Sequence, residues 1–237
     1  MVTPAAPVPL DATNFDTIAG IYDDVFPTHI VEHYLSRRAA YILRHTPAEN
    51  ALDVGAGTGV LAERLTDSGI AVTALDPFPG MLAQLSQRRP DIPTIVANGE
   101  DLPFPDNVFD LTYSVAVMHH IARPELVQRT LDEMVRVTRR GGHILIWDHN
   151  PLNPYWSLLM RRVPQDVGSE RLVPMDEILE DLRAAGATVL RADRRGLMPE
   201  FVPPSLLGVA ARIERLVEAT PGIRAFCSHD VVLARKS

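Results

Sequence analysis

The stretch Leu52-Asp53-Val54-Gly55-Ala56-Gly57-Thr58-Gly59-Val60-Leu61 decides the fold of this chain. Ala51–Val54 is a short apolar run and reads as a strand. Val60–Thr66 has helical spacing and stops near Gly69. Glycines at alternate positions fill the turn between them. Glycine adopts positive φ without steric cost and lets a ligand approach the backbone. The helix that follows offers free N–H groups and the positive end of its dipole.

Outward from this turn, strand and helix patterns alternate. Ala71–Leu75 is apolar, Met81–Arg88 is helical and closed by Pro90, and Ile92–Ala97 is a strand pattern. Asp110–Val117 is another strand pattern, and Glu125–Val137 is an amphipathic helix. Arg139-Arg140-Gly141-Gly142 then leads into a strand at His143–Trp147. Such alternation predicts a parallel sheet with helices on both faces, and the near-continuous apolar strands fit burial on both faces. Two helices are expected before the first strand, at Asn14–Asp24 and Thr28–Arg44. A segment rich in Pro and Arg runs from Asn150 to about Pro174. Beyond it come a helix at Met175–Ala185, a strand at Thr188–Ala192, a helix at Ser205–Ala219 and a strand at Val231–Ala234.

The glycine pattern is Gly-x-Gly-x-Gly, not the Gly-x-Gly-x-x-Gly of dinucleotide enzymes, which must cradle a pyrophosphate. Asp53 at the first strand end suits a cationic ligand. Asp76 ends the second strand, where a carboxylate accepts from both hydroxyls of a ribose. Asn98-Gly99-Glu100 follows the third strand, where Asn98 and the Gly99 N–H are placed to read a base edge, with Leu102 and Phe104 to line its faces. A capped surface turn explains any one of these segments as well. All of them, in order at consecutive strand ends, are hard to explain as turns.

On four stretches the chain resembles the class I S-adenosylmethionine-dependent methyltransferases, especially the ubiquinone/menaquinone-biosynthesis-like branch acting on small molecules. These are Leu52–Leu61, Leu75–Met81, Asn98–Phe109 with its Leu-Pro-Phe-Pro-Asp core, and Val115–Ile121. The likeness covers about Phe15 to Asn150 and is looser beyond. It implies a doubly wound, Rossmann-like α/β fold whose sheet has seven strands, the last antiparallel. The cofactor it implies is S-adenosyl-L-methionine, held by Tyr22, Asp53, Gly55, Gly57, Gly59, Asp76, Pro77, Met81, Asn98, Gly99, Glu100, Ser114 and Val115. Tyr22 resembles the family's N-terminal lid tyrosine, and Ser114 and Val115 are implied to pass near the methionine part. Asn98 stands where the family often has Asp, which leaves the amide oxygen alone to meet the adenine amino group. The expected organisation is a disordered leader over 1–13 and one domain over 14–237. Within that domain 14–46 is a helical cap, 48–150 the cofactor-binding core, and 151–237 completes the sheet and caps the acceptor.

Such a cofactor brings an activated methyl, so the protein has to position an acceptor in line and exclude water. A base helps with an oxygen or nitrogen acceptor, and histidine suits that work. His119 and His120 follow the fourth strand and His149 the fifth, at the sheet edge where open α/β folds bind ligands. They are the catalytic candidates, against the alternative of structural histidines. His29 and His33 stand four apart on a helix, but no third ligand joins them, so no metal is expected. Arg161-Arg162, Arg191 and Arg194-Arg195 read as solvated charges rather than an anion site. Met198, Phe201, Val202, Leu206 and Leu207 suit an apolar cap over a small or lipid-like acceptor, or simply core. Two alternatives to methyl transfer stay open: a cyclase-like reaction using the sulfonium charge, and a non-catalytic cofactor-binding partner subunit.

Composition agrees. Hydrophobic residues at 46 % and charged ones at 22 % are ordinary for a globular chain. A formal net charge of −7 argues against a nucleic-acid partner and suits a cationic ligand. Cys227 has no second cysteine to pair with and reads as a small buried hydrophobe, which fits a reducing compartment. The start of the chain lacks a signal-peptide pattern, and no apolar run approaches the roughly 20 residues of a membrane span. A cytoplasmic location is expected.

Overall fold

The computed structural model describes residues 14–121, 123–160 and 170–237. The expected leader and Arg161-Arg162 fall outside them. The strands are β1 Asn50–Val54, β2 Ala71–Asp76, β3 Thr94–Val96, β4 Phe109–Val115, β5 Thr138–His149, β6 Ala187–Arg195 and β7 His229–Lys236. The helices are α1 Thr28–His45, α2 Val60–Asp67, α3 Pro79–Arg88, α4 Pro124–Val137, α5 Pro154–Leu159, α6 Met175–Ala184 and α7 Leu207–Ala219. One seven-stranded sheet has the order β3-β2-β1-β4-β5-β7-β6, with β7 antiparallel to both neighbours and the other pairs parallel. This is the expected fold. The chain leaves β1 toward β2 on one side and reaches β4 on the other, so a crevice opens at the carboxyl ends of β1 and β4.

Strand alternation divides the core into two layers. Leu52, Val54, Ile144, Ile146 and Val232 face α4 and α6. Ala51, Leu145, Trp147, Val231 and Leu233 face α1, α2 and α3. Cys227 is fully buried, as expected, and burial pushes its thiol up to about 11.

Three local expectations need correction. Asn14–Asp24 is not one helix but two 3₁₀ turns, Phe15–Thr17 and Tyr22–Asp24. Asn14 caps the first turn by accepting the Asp16 N–H, and Gly20 lies between the turns. Packing of Phe15 and Ala19 on Met81 holds this segment against the site. Arg139–Gly142 lies inside β5 rather than before it. Its register against β4 shifts between Phe109 and Leu111. There a Cβ on Gly142 would meet the Asp110 carbonyl oxygen at 2.8 Å, so only glycine fits the bulge. Helix α5 arises within the Pro/Arg-rich segment, where Asn153 caps it by accepting the Tyr155 N–H at 2.9 Å and Pro154 takes the first position.

Candidate active site

The glycine turn joins β1 to α2 with Gly55, Gly57 and Gly59 all at positive φ. A Cβ on Gly55 would clash with the Val117 side chain, so this turn and the one after β4 are in direct contact. Asp76 braces the loop from β2: Oδ2 accepts the Gly57 N–H at 2.8 Å, and Oδ1 accepts the Phe78 N–H at 2.9 Å. Each oxygen keeps acceptor capacity for a further donor. Burial pushes the Asp76 carboxyl up to about 6, against those two hydrogen bonds. Asp53 is 3 % exposed, and burial pushes it to about 7; the adjacent Tyr113 hydroxyl opposes the shift and Asp76 adds to it. A buried carboxyl held near neutrality beside a glycine cradle has the chemistry of a cation site.

The N-terminal turns close over this cradle. Asp16 Oδ1 accepts the Gly80 N–H at the start of α3, and the Thr58 hydroxyl donates to Asp23 Oδ1, both at 2.6 Å. Phe15 packs edge-on to Tyr22, Phe78 and His120. Tyr22 thus lies over the turn, and Met81 is buried beneath Phe15. Pro77 carries the chain from Asp76 toward α3. Asn98, Gly99 and Glu100 follow β3 at the same edge, where Ala97 donates to the Asp76 carbonyl. A Cβ on Gly99 would strike Thr130 Cγ2 at 2.8 Å, so the chain runs close to α4. Leu102 and Phe104 belong to the core against α4, with Phe104 edge-on to Phe109. Ser114 is buried at the end of β4 with its hydroxyl unpartnered, Val115 follows it, and Ala116 takes φ 59°. A non-glycine residue in that region is strained and held by its surroundings.

The histidines meet around Asp148. Its Oδ2 accepts the Val117 and Met118 N–H groups at 3.1 and 2.6 Å. Its Oδ1 accepts hydrogen bonds from His119 Nδ1 and the His149 N–H, both at 2.6 Å. Burial raises a carboxyl, yet the charge and hydrogen bond of His119 outweigh it, and Asp148 stays below its usual range. His119 is flanked by His120, with ring centres 4.0 Å apart, and by His149 at 3.9 Å. His149 in turn stacks on Trp156 at 3.6 Å. Burial, then the charge of His119, holds His120 and His149 well below the ordinary imidazole range. His119, Asp148 and His149 place ligand-type atoms within 4.8 Å of one another. With two donors on each oxygen, however, the carboxylate of Asp148 is built as a hydrogen-bond hub rather than as an ion's ligand.

These groups wall a chamber of about 560 Å³, within the size range of small-molecule sites. Its roof comes from the N-terminal turns, α1 and the C-terminal segment, including Tyr22, Ile30, Tyr34, Met198 and Phe201. Of the five expected cap residues, Met198 and Phe201 line the chamber, the Val202 carbonyl binds His29 Nε2, Leu206 is exposed, and Leu207 starts α7 half-buried outside the chamber lining. His33 binds Glu214, so the two α1 histidines serve different partners. Arg191 is exposed, Arg194 pairs with Asp230, and Arg195 pairs with Asp193. Asp148 and Arg38 were missed in the sequence. For Asp148 a signal existed: an acid that ends an apolar strand at a sheet edge.

A methyltransferase-domain family profile matches residues 52–146. The demethylmenaquinone methyltransferase of Renibacterium salmoninarum is 34 % identical over 164 residues, 63 % of this chain and 68 % of that one. The enzyme of the same name from Corynebacterium urealyticum is 35 % identical over 161 residues, 65 % of this chain and 68 % of that one. In fold, a SAM-dependent methyltransferase from Thermotoga maritima superposes with a TM-score of 0.71 at 16 % identity, over 96 % of this chain and all of that one. The cyclase SpnF superposes at 0.61 and 18 % identity, over 99 % of each chain. With its glycine turn, paired buried carboxyls and matching relatives, the chain belongs to the class I S-adenosylmethionine-dependent methyltransferases, in the branch that resembles the quinone-biosynthesis enzymes.

Proposed function

We propose that this enzyme methylates a flat, quinol-like or lipid-like small molecule seated in the chamber, with His119 as the base. The hydrogen bond from His119 Nδ1 to Asp148 carries this reading. It leaves Nε2 for the acceptor, and the carboxylate stabilises the charge His119 gains on taking a proton. His120 and His149 are poorer proton acceptors because burial disfavours their charged forms. His149, stacked on Trp156, instead offers a planar wall for a ring. The names of the relatives support a quinol-type acceptor.

S-adenosylmethionine supplies a methyl group on a cationic sulfur, ready for in-line displacement. In this reading Asp76 takes the ribose, Asp53 the cationic side, Asn98 and Gly99 the adenine edge, and Tyr22 covers the ligand. Glu100 and Pro77 shape that edge, while Met81, Ser114 and Val115 complete the pocket. The residues fit: the glycine cradle keeps room at Gly57, and Asp53 and Asp76 are buried carboxyls that a cation would ionise.

That fit predicts a pH dependence. Both carboxyls are raised by burial, Asp53 to about 7 and Asp76 to about 6. A cationic ligand favours their ionised forms, so affinity rises with pH through this window and binding releases protons. Below the window the dissociation constant should change by about tenfold per pH unit for each coupled carboxyl. Calorimetry in buffers of different ionisation enthalpy reads the proton release. A flat affinity from pH 5.5 to 8 would remove Asp53 from the site.

The reaction itself is tested with reduced 1,4-naphthoquinone as acceptor, under anaerobic conditions. Adenosylhomocysteine should form in step with a methylated product. Conversion of acceptor without adenosylhomocysteine would favour the cyclase-like reading. Cofactor binding without any turnover of quinols would overturn the acceptor class.

A further inference from the structure

Helix α1 sends Arg38 into the chamber wall. Among the described residues it makes no hydrogen bond or ion pair, and its Nε is buried without a partner. Its neighbour Arg37 is fully committed to Glu214 and Glu218. The Arg38 guanidinium instead lies over two aromatic rings, 5.7 Å from the centre of Tyr34 and 6.0 Å from that of Trp147. Cation–π contact compensates only part of the desolvation of a half-buried charge.

Among the described residues no carboxylate hydrogen-bonds or ion-pairs with Arg38, although the charge of Asp148 acts on it from a distance. Asp148 already accepts four hydrogen bonds. Glu200 of the chamber binds the Tyr155 hydroxyl. Tyr34 both donates to the Met198 carbonyl and accepts the Met198 N–H, and burial pushes its phenol up to about 12, so it stays neutral. The imidazoles of His149 and His229 are held neutral by burial, and the charge of Arg38 adds to that. Their buried Nδ1 atoms also lack partners. A half-buried cation in the chamber wall without an ion-pair partner leaves its terminal N–H donors for a ligand.

We infer that Arg38 forms an oxyanion subsite in the acceptor chamber and selects a planar acceptor bearing an ionised oxygen, either a ring carboxylate or a phenolate. The inference rests on reading the chamber as the acceptor site. It deepens that reading, because charge left on the acceptor by proton loss to His119 would find its counter-ion there. The guanidinium carbon lies within 6.0 Å of both ring centres, so Tyr34 and Trp147 confine it at the chamber wall.

The test titrates the full chain, with adenosylhomocysteine present, against 2-naphthoate and 2-naphthamide, which share shape and differ in charge. The wild type should bind the carboxylate at least about tenfold more tightly. Arg38→Met should abolish that preference and keep the naphthamide affinity, because only the charge and its N–H donors are removed. Arg38→Lys should keep part of the preference, since the charge remains and the planar fork of donors is lost. Equal binding of the two probes by the wild type, no binding of either, or a preference that survives in Arg38→Met would overturn the subsite. No methyl transfer enters this readout. If quinol turnover fails while the naphthoate preference stands, the function falls and the subsite remains.

Discussion

Asp148→Asn is expected to lower kcat by about 10²–10⁴-fold, the range a positioned base contributes, and to leave the affinity for S-adenosylmethionine nearly unchanged. Asp148 is buried and meets four donors: the N–H groups of Val117, Met118 and His149, and the ring of His119. Asparagine fits the space but offers a single acceptor oxygen. Its amide N–H₂ must then face two of those donors, and the His119 ring loses the partner that fixes its tautomer. A purely structural role would slow all acceptors alike. A role in positioning the base would not, because an acceptor already ionised in solution has no proton to give up. The defect should therefore shrink as the acceptor hydroxyl becomes more acidic, and His119→Ala should show the same trend. A uniform loss across acceptors, or a kcat near wild type, would sink the dyad.

The second large effect concerns stability. Glu214→Ala is expected to cost about 3–5 kcal/mol, as breaking a buried ion pair does, and so to lower the midpoint of this chain by about 10 °C. Glu214 is the buried residue of α7. It accepts the Leu197 N–H and His33 Nε2, both at 2.7 Å, and binds Arg37. Glu218, one turn on, accepts from Arg37 and from the Gly196 N–H. Two carboxylates thus tie α1, α7 and the connection after β6 into one roof. Burial raises the Glu214 carboxyl, but the His33 hydrogen bond and the Arg37 charge overcome it and leave its pKa lowered. A depressed carboxyl stabilises the fold above its unfolded value and loses that contribution as pH falls through the folded one. The gap between wild type and Glu214→Ala should therefore be full at pH 7 and close in acid below the ordinary glutamate range. Melting curves at the two pH values decide it. A gap of a degree or two, or one that ignores pH, removes Glu214 as the lock.

The cofactor half was legible because its signals are local. The run before Gly55, the alternate glycines and the acid ending β2 each lie within a few residues, and they fold as read. The histidine-lined chamber is made by tertiary contact. His149 was visible at a strand end, whereas the carboxylate beside it shows its importance only when four donors converge on it. Arg38 looks like any helical arginine. Its interest lies in a partner it lacks, while Arg37 next to it has two. The Asn14–Asp24 segment misled because helical spacing there serves attachment instead: Asp16 and Asp23 reach α3 and the glycine turn, and the chain bends to allow it.

The placement of Trp147 and Trp156 has a spectroscopic consequence. They are the two tryptophans of the chain: Trp156 lines the chamber, and Trp147 lies behind the lining, against His229 and beneath Arg38. Trp147 is 1 % exposed under Arg38, and Trp156 is stacked on His149. No distant indole contributes background light. A ring that displaces His149 from Trp156, or an anion that draws Arg38 off Trp147, must therefore change the intrinsic emission. The protein carries its own reporter, one indole in the chamber wall and one directly behind it.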